Sequence, residues 1–182
     1  MKNVFIDKNI IEEIERTGAI IAITKDSNYI DLTNIHKDIF TIEFIAHHLA
    51  RINRYNGATY FPYTVAEHCI RLTYKVPHEL RLAALLHDAE ETVVGDITYP
   101  IAKYIDRNIP GFIDKWRELK ASIRRIIYEK HNVNQSPYAV DQQDFEYRKT
   151  EMNIYFKKDR LPLSFTQAEQ LFIKRYNELK TI

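Results

Sequence analysis

The chain has 182 residues, of which 45% are hydrophobic and 28% are charged, so it is long enough to bury a sizeable core. Its 26 basic and 25 acidic side chains leave a formal net charge of +1, which excludes a global basic surface of the kind that binds nucleic acid nonspecifically. The single cysteine, Cys69, excludes an internal disulfide and multi-cysteine zinc sites, so any metal must use histidine and carboxylate ligands. The four glycines are too scattered for a dinucleotide-binding or P-loop pattern.

The N-terminal region contains no uninterrupted apolar segment of signal-peptide length. The longest purely apolar runs, such as Ala19 to Ile23, are far shorter than the roughly 20 residues that span a bilayer. We therefore expect a cytoplasmic protein whose partners include neither a membrane nor a nucleic acid.

The first predicted element lies in residues 18–33, which read GAIIAITKDSNYIDLT. Two short β-rich runs flank the turn-forming residues Asp26, Ser27 and Asn28, a pattern typical of a β-hairpin. From Thr41 onward the apolar periodicity becomes helical, and the first predicted helix ends at Asn56-Gly57.

Prolines at plausible first-turn positions introduce most of the later helices, which are predicted over residues 64–76, 79–92, 100–106, 110–131 and 137–156. Ser164 and Gln167 form a capping-box pattern for a last helix. Because no repeat or composition break divides the chain, the sequence predicts one mainly α domain over residues 1–182. Its parts are a β-hairpin at 18–33, a helical core at 41–156 and a C-terminal helix at 164–180.

Histidines and acidic residues at four places are candidate metal ligands, namely His68, the adjacent His87 and Asp88, and either Asp144 or Asp141. Each lies in a predicted helix, and two imidazoles with two carboxylates suit a first-row divalent ion. Spacing by itself does not separate a metal site from buried histidines that only form hydrogen bonds in the core. A histidine on a partly apolar helix is more often a hydrogen-bonded core residue than a ligand.

Several ordered motifs surround these candidates. The segment LAALLHDAEETVVGD resembles the signature of HD-domain phosphohydrolases, and YTVAEHCIRL resembles the histidine-bearing segment that precedes it in that family. INRYNG stands upstream, Glu91, Gly95-Asp96 and Pro100 follow the His-Asp pair, and DFEYRKTE is similar to the family's late D-x6-E pattern. The resemblance is greatest to bacterial HD-type 5'-deoxynucleotidases and phage-type HD nucleotide hydrolases. It runs from the region of Gly18 to about Glu151 and implies an HD-domain helical bundle.

Carried to the matching positions, the resemblance implies metal ligation by His68, His87, Asp88 and Asp144, with Asp141 as the less favoured alternative. A cation held there lowers the pKa of a water molecule towards about 7 and orients it for attack on phosphorus. The ligand types leave the ion open among Co, Mn, Zn, Ni and Fe. His131 is the only histidine between Asp88 and Asp144, so one metal ion is expected rather than two.

The resemblance also implies roles for residues that do not bind the metal. Glu91 lies one helical turn beyond Asp88, so both can face one cavity, and Glu91 is the candidate for proton transfer. Asp96 would orient the water or the leaving group, although an aspartate beside a glycine is also an ordinary turn residue. Arg54 is implied as the phosphate contact, for which its planar guanidinium is suited. Tyr55 stands where related enzymes place an aromatic residue that touches the sugar.

Other residues near these motifs stay open. His47, Arg51 and Arg54 have the spacing of one helix face that could point towards the pocket. An aromatic loop, formed by Tyr60, Phe61 and Tyr63, could stack on a base or belong to the core.

Three positions depart from the family pattern. Cys69 replaces a serine after the first ligand, which makes oxidation at the metal site conceivable. Glu90 replaces a small residue beside Glu91 and could share its acid-base work. A lysine expected two residues after Pro100 is displaced to Lys103.

These features predict divalent-metal-dependent hydrolysis of deoxynucleotide phosphate esters, first of all by a 5'-nucleotidase acting on deoxynucleoside monophosphates. The alternative is a dATP-type deoxynucleoside triphosphohydrolase, for which Arg51, Lys103 and Arg107 are candidate contacts to the additional phosphates. An alarmone hydrolase is disfavoured because Thr92 replaces the aspartate of its Glu-Asp pair. The alternative from another class is a nucleotide-binding HD module without turnover.

The final helix is amphipathic, with an apolar set formed by Phe165, Ala168, Leu171, Phe172 and Tyr176. Such a face covers either the domain core or another subunit. Because the related enzymes self-associate, a homo-oligomer is expected, with a dimer as the first candidate.

Overall fold

The computed structural model describes Arg16 and residues 21–23, 29–155 and 162–181 of the chain, which divides into two compact units, Met1–His36 and Lys37–Ile182. In the first unit, strands β1 (Ile21–Ile23) and β2 (Tyr29–Asp31) pair antiparallel, with Ala22 opposite Ile30. The predicted strand pairing is therefore present, whereas its expected turn at residues 26–28 lies outside the described residues. The organisation of residues 1–182 as one domain stays a prediction.

The described part of the second unit consists mainly of helices joined by loops, with one isolated antiparallel bridge between Asn53 and Thr64. Its α-helices there are α1 (Ile42–Leu49), α2 (Val65–Leu72), α3 (Arg81–Leu85), α4 (Glu91–Val94), α5 (Tyr99–Asn108), α6 (Phe112–Lys130), α7 (Pro137–Tyr155) and α8 (Phe165–Lys180). Short 3-10 turns at Lys37–Ile39 and His78–Leu80 and a tight turn at Arg54–Gly57 accompany them. The chain is therefore mainly α, as the sequence predicts. None of the described helices is long and apolar enough to cross a lipid bilayer.

Side-chain caps explain where three of these helices begin. The hydroxyl of Thr41 accepts a hydrogen bond from the backbone of Phe44, and the hydroxyl of Thr64 accepts one from Glu67. Ser164 and Gln167 exchange both bonds of the predicted capping box. Each cap satisfies a backbone N–H group that has no partner within the first helical turn.

The helix predicted from Thr41 to Asn56 is too long, because α1 ends at Leu49. Beyond it the backbone extends, and Arg54 donates its N–H to the carbonyl of Tyr63 at 2.8 Å. Arg54 begins a tight turn in which Tyr55 and Asn56 have left-handed dihedral angles, so the expected helix face that joins His47, Arg51 and Arg54 does not form. Arg51 instead contacts Glu169 of α8 at 2.7 Å, and His47 contacts the same carboxylate at 3.3 Å.

The helix predicted over residues 79–92 is interrupted. Helix α3 ends at Leu85, a turn spans residues 86–90, and α4 begins at Glu91. The Nδ1 atom of His87 donates a hydrogen bond to the carbonyl of Ala84 at 2.8 Å. This turn carries both His87 and Asp88. In a continuous helix the two side chains would point about 100° apart around the helix axis.

The buried core joins α8 to α1, α2 and α3. Ile45, Leu49, Leu72, Leu85 and Phe172 have no exposed surface, and burying each such side chain contributes about 1.5–3 kcal/mol. Ala168 and Phe172 of α8 therefore cover the core of their own unit, whereas Phe165 and Leu171 of the predicted apolar set are exposed. Helix α7 also contacts α2 and α3, so the helices that carry the candidate ligands are packed against one another.

Candidate metal centre and cavity

The structure brings the four predicted ligands together. His68 comes from α2, His87 and Asp88 from the turn after α3, and Asp144 from α7. The Nε2 atom of His68 lies 3.3 Å from Nε2 of His87 and 3.1 Å from Oδ1 of Asp144, and Nε2 of His87 lies 3.1 Å from Oδ2 of Asp88. All four side chains are buried. The alternative residue, Asp141, pairs with Arg124 instead and has a half-exposed side chain.

Hydrogen bonds on the far side of each imidazole set its tautomer. The carboxylate of Glu151 can only accept, so His68 donates to it through Nδ1–H. His87 donates through Nδ1–H to the carbonyl of Ala84. A neutral imidazole at either position therefore directs its Nε2 lone pair into the cluster, as metal-ligating histidines require. Burial opposes the charge of His87, but Asp88 raises the pKa of His87 well above its ordinary value, so a metal ion has to compete with a proton there.

The donor set fits a divalent transition ion. Ligand atoms of His68, His87 and Asp144 lie within 4.8 Å of one another. Oδ1 of Asp144 is buried and has no hydrogen-bond donor within the described parts of the chain. Burial favours the neutral acid, but the interaction with His87 holds the pKa of Asp88 well below its ordinary value. Arg148 Nη2 donates to Oδ2 of Asp144, and Arg54 Nη1 lies 3.4 Å from Oδ2 of Asp88. These guanidinium groups supply part of the positive charge that the buried carboxylates need, while Oδ1 of Asp144 stays available to an ion.

Glu151 supports this cluster and was not assigned a role from the sequence. Its buried carboxylate accepts hydrogen bonds from His68 Nδ1 and Tyr63 Oη, and from Tyr55 Oη at 3.1 Å, while Arg54 Nη2 lies 3.4 Å away. Burial opposes its ionisation, but the hydrogen bond from His68 lowers the pKa of Glu151 below its ordinary value. The available signal was the D-x6-E pattern, which places Asp144 and Glu151 two turns apart on one face of α7.

A cavity of about 380 Å³ lies beside the cluster, a size typical of sites for small ligands. Its lining includes all six of the predicted non-histidine site residues, Arg54, Tyr55, Asp88, Glu91, Asp96 and Asp144. Three further basic residues, Arg117, Lys120 and Arg148, also line it. The predicted candidates Arg51, Lys103 and Arg107 are not among its described lining residues. Lys103 instead lies over the ring of Tyr99, 6.0 Å from its centroid.

Glu91 begins α4 with one carboxylate oxygen held and the other unpaired. Lys120 Nζ donates to Oε1 at 2.8 Å, whereas Oε2 is buried without a hydrogen-bond partner in the described chain. Burial and the charge of Asp88 raise the pKa of Glu91 well above its ordinary value, and Lys120 opposes this increase. Burial likewise raises the pKa of Asp96. Both carboxyl groups can therefore exchange protons closer to neutral pH than exposed ones.

Glu90 has a different environment from its neighbour. It has no exposed surface, and its two carboxylate oxygens accept hydrogen bonds from Arg124 at 2.8 and 3.2 Å. Lys120 Nζ lies 3.2 Å away. Glu90 is not among the residues that line the cavity. Its carboxylate instead binds Arg124 and Lys120 of α6.

The turn that carries Arg54 has an unusual backbone. Tyr55 and Asn56 have positive φ values of 55° and 54°, and Gly57 follows at 73°. Such conformations cost non-glycine residues about 1–3 kcal/mol and persist where surrounding contacts impose them. Here the contact of Tyr55 with Glu151 and that of Arg54 Nη1 with Asp88 at 3.4 Å hold the turn against the cluster.

Of the alternatives left open for the aromatic loop, burial in the core holds for Tyr63. Tyr63 is fully buried and donates to Glu151. Tyr60 is exposed and packs edge-on against Phe61, and neither ring lines the cavity. The loop therefore supports the ligand cluster through Tyr63.

The structure also shows the surroundings of Cys69 and His131. Cys69 is fully buried with Sγ 3.8 Å from His87 Nδ1, and burial raises the pKa of its thiol to about 11. His131 contacts the Phe40 carbonyl and the Tyr176 hydroxyl, both at 2.8 Å. His131 therefore does not join the ligand cluster.

Comparisons with known proteins add relatives but no activity. No protein-family model matches the chain. An uncharacterised protein of Rhodobacter capsulatus is 38% identical over 91 residues, which cover 45% of this chain and 45% of that protein. The uncharacterised protein YfdR of Escherichia coli is 30% identical over 99 residues, which cover 54% of this chain and 51% of that protein. The chain thus spans about half the length of the curated relatives it matches, whose names state no function.

Proposed function

We propose that the chain is an HD-type, divalent-metal-dependent phosphohydrolase of deoxynucleotides, and first of all a 5'-nucleotidase that acts on deoxynucleoside monophosphates. The observation that carries the proposal is the convergence of two imidazole Nε2 atoms and two carboxylates beside a cavity of small-ligand size. The cavity also contains the buried carboxylate of Glu91, one oxygen of which has no hydrogen-bond partner among the residues that the structure describes, and the buried Arg54. These groups meet the requirements of phosphate-ester hydrolysis.

The proposed cofactor is one divalent transition ion, Co, Mn, Zn, Ni or Fe, held by His68, His87, Asp88 and Asp144. When bound, such an ion acidifies a water molecule and withdraws charge from a phosphoryl oxygen. His68 and His87 keep their lone pairs directed inward because Glu151 and the Ala84 carbonyl hold the opposite nitrogens.

Glu91 is the proposed proton-transfer group. Its unpaired Oε2 accepts a proton from the attacking water while Lys120 holds Oε1. The new P–O bond forms as the bond to the 5' oxygen breaks, and Glu91 returns the proton to that leaving oxygen. Asp96, which lines the same cavity, orients the water or the leaving group.

Arg54 and Tyr55 are the proposed contacts to the substrate. The guanidinium of Arg54 is held between Asp88 and Glu151, so its orientation is fixed before a phosphate arrives. Tyr55 lies over that guanidinium, which is 5.5 Å from the ring centroid, and also lines the cavity, where it can contact the sugar.

A second cavity supports the triphosphohydrolase alternative. It has a volume of about 870 Å³ and shares Asp88, Arg117, Lys120, Asp144 and Arg148 with the first. Its cations on α6 and α7 include Arg117, Arg125 and Arg148, which can pair with the additional phosphates of a nucleoside triphosphate. These residues replace Arg51, Lys103 and Arg107 as the candidate contacts.

A substrate panel separates the candidates. Purified protein is supplied with Mn²⁺, Co²⁺, Ni²⁺ or Zn²⁺ and with deoxynucleoside mono- or triphosphates, and the phosphorus product is identified by ³¹P NMR. Inorganic phosphate from monophosphates supports the nucleotidase, whereas intact triphosphate as product supports the alternative. Nucleotide binding without any product supports the non-catalytic module. Hydrolysis that persists in Asp88→Asn at wild-type rate contradicts the metal assignment.

The proposal retains two further expectations from the sequence. The enzyme is proposed to act in the cytoplasm on small-molecule substrates. It is also proposed to form a homo-oligomer, with a dimer as the first candidate, and the exposed side chains of Phe165 and Leu171 on α8 are available for such a contact.

A further inference from the structure

One face of α6 forms part of the small cavity. Ile113, Trp116, Arg117 and Lys120 all line it, and their spacing places them on a single side of the helix. The chemistry changes along this face. Its C-terminal end is the charged Lys120, which contacts Glu91, whereas its N-terminal part presents the isoleucine and the indole. From Ile113 to Lys120 the helix rises about 10 Å.

The same cavity has a second apolar wall. Ile97, Pro100 and Ala102 line it from α5 and the loop before it, and α5 packs against α6. Phe112 supports the indole of Trp116 in a near-parallel stack, with ring centroids 6.0 Å apart and an interplanar angle of 14°. One part of the cavity is therefore apolar and aromatic, while the part beside the ligand cluster is charged.

We propose that Trp116 and Ile113 form the subsite for the nucleobase of the substrate. This inference rests on the proposed function, because it assumes that the phosphate occupies the charged part of the cavity. The remaining planar, uncharged part of a nucleotide then meets an indole face and aliphatic side chains, which favour stacking. The tryptophan was not singled out from the sequence, where no motif includes it.

The lining also defines how selective the subsite is. Ile97, Pro100, Ala102 and Ile113 have no hydrogen-bonding side-chain groups, whereas the hydroxyl groups of Thr98 and Tyr99, which also line the cavity, can contact a base edge. Stacking increases with the area of the ring system. The subsite therefore binds purine nucleotides more tightly than pyrimidine nucleotides.

Trp116 is the only tryptophan of the chain, so intrinsic fluorescence reports on this position alone. The metal-supplemented protein is titrated with deoxyadenosine, with 2-deoxyribose and with inorganic phosphate, and the signal is corrected for absorption by the base. Deoxyadenosine is expected to quench the fluorescence to saturation, whereas the other two compounds leave it nearly unchanged. Absence of quenching by deoxyadenosine overturns the subsite.

Kinetics supply a second measurement. Trp116→Ala is expected to lower kcat/KM for dAMP, relative to kcat/KM for deoxyribose 5-phosphate, by about 5- to 150-fold, the range of base–aromatic stacking. Trp116→Phe retains a ring and restores most of the ratio. Tyr104→Ala is the matched control, because Tyr104 is an exposed aromatic of α5 that does not line the cavity. An unchanged ratio in Trp116→Ala overturns the proposal.

The outcomes separate the subsite from the proposed function. Phosphate release from dAMP without quenching by deoxyadenosine refutes the subsite and leaves the enzyme assignment intact. Saturable quenching without product from any nucleotide refutes the enzyme assignment and leaves the base subsite intact. If thermal unfolding shows that Trp116→Ala is misfolded, Trp116→Phe and the wild-type titrations decide the question.

Discussion

Replacing Glu151 by glutamine perturbs the centre of the candidate metal site while nearly preserving side-chain volume. The wild-type carboxylate accepts hydrogen bonds from His68 Nδ1 and Tyr63 Oη, and it lies 3.4 Å from Arg54 Nη2. A glutamine amide offers one acceptor oxygen and one donor nitrogen. If the nitrogen faces His68, the imidazole carries its proton on Nε2, inside the ligand cluster. If the oxygen faces His68, the amide nitrogen, itself a donor, lies beside the donor groups of Tyr63 and Arg54.

The structure sets the expected magnitudes. Loss of the hydrogen-bond partner of a metal-ligating histidine typically costs 10- to 100-fold in metal affinity, or about 1.4–2.7 kcal/mol. Glu151 has no exposed surface, and the side chain of Arg54 is 9% exposed, so solvent screens their interaction little. Removing one partner of a buried ion pair costs about 3–5 kcal/mol. Because glutamine retains one acceptor, we expect about 2–3 kcal/mol and a fall in Tm of about 4–12 °C.

Two measurements check this prediction. Isothermal titration calorimetry of Mn²⁺ into chelator-treated protein gives the metal affinity, and thermal unfolding gives the stability. Glu169→Gln is the matched control. It removes a carboxylate of α8 that pairs with Arg51 away from the ligand cluster. The control should lose less than about 1 kcal/mol and retain its metal affinity. Wild-type affinity in Glu151→Gln, or an equal loss in the control, would refute the reasoning.

Three further predictions concern groups around the same cavity. Glu91→Gln should lower kcat by about 10²- to 10⁴-fold in initial-rate assays while calorimetric metal affinity is retained, because the proton acceptor is lost but the ligands remain; near-wild-type turnover contradicts its role. Burial and Asp88 raise the pKa of Glu91, and Lys120 lowers it. At saturating metal, Lys120→Met should therefore move the acidic limb of the kcat/KM profile to higher pH. A shift to lower pH, or an equal shift in the control Lys115→Met, counts against this role of Lys120. Native Cys69 should resist iodoacetamide at neutral pH, as mass spectrometry can show, because it is buried and its pKa is raised to about 11; rapid labelling without unfolding would contradict this.

Local patterns predicted most of the helical framework. The caps at Thr41, Thr64 and Ser164 lie where the helices begin, because capping depends on residues only three positions apart. Helix ends were harder to predict. Helix α1 ends at Leu49, where the following backbone bonds to the segment around Tyr63. Apolar periodicity cannot report a hydrogen bond between two separate segments of the chain.

The candidate site shows the same division between local and long-range information. Residue types and motif order made His68, His87 and Asp88 candidate ligands, because a ligand must carry a suitable donor atom, and the structure places them in one cluster that could hold an ion. The motifs left Asp144 and Asp141 both open. Tertiary structure separates the two aspartates. Asp144 lies against the imidazole of His68, whereas the half-exposed Asp141 pairs with Arg124.

By itself, the sequence determined that this protein is mainly helical and which residue types are available to bind a metal ion. Only the tertiary structure decided that Glu151 holds His68, that Lys120 holds Glu91, and that Trp116 enters the cavity. The physical reason is distance along the chain. These contacts join residues tens of positions apart, and their orientation depends on how α6 and α7 pack around the turn between α3 and α4, which no local spacing encodes.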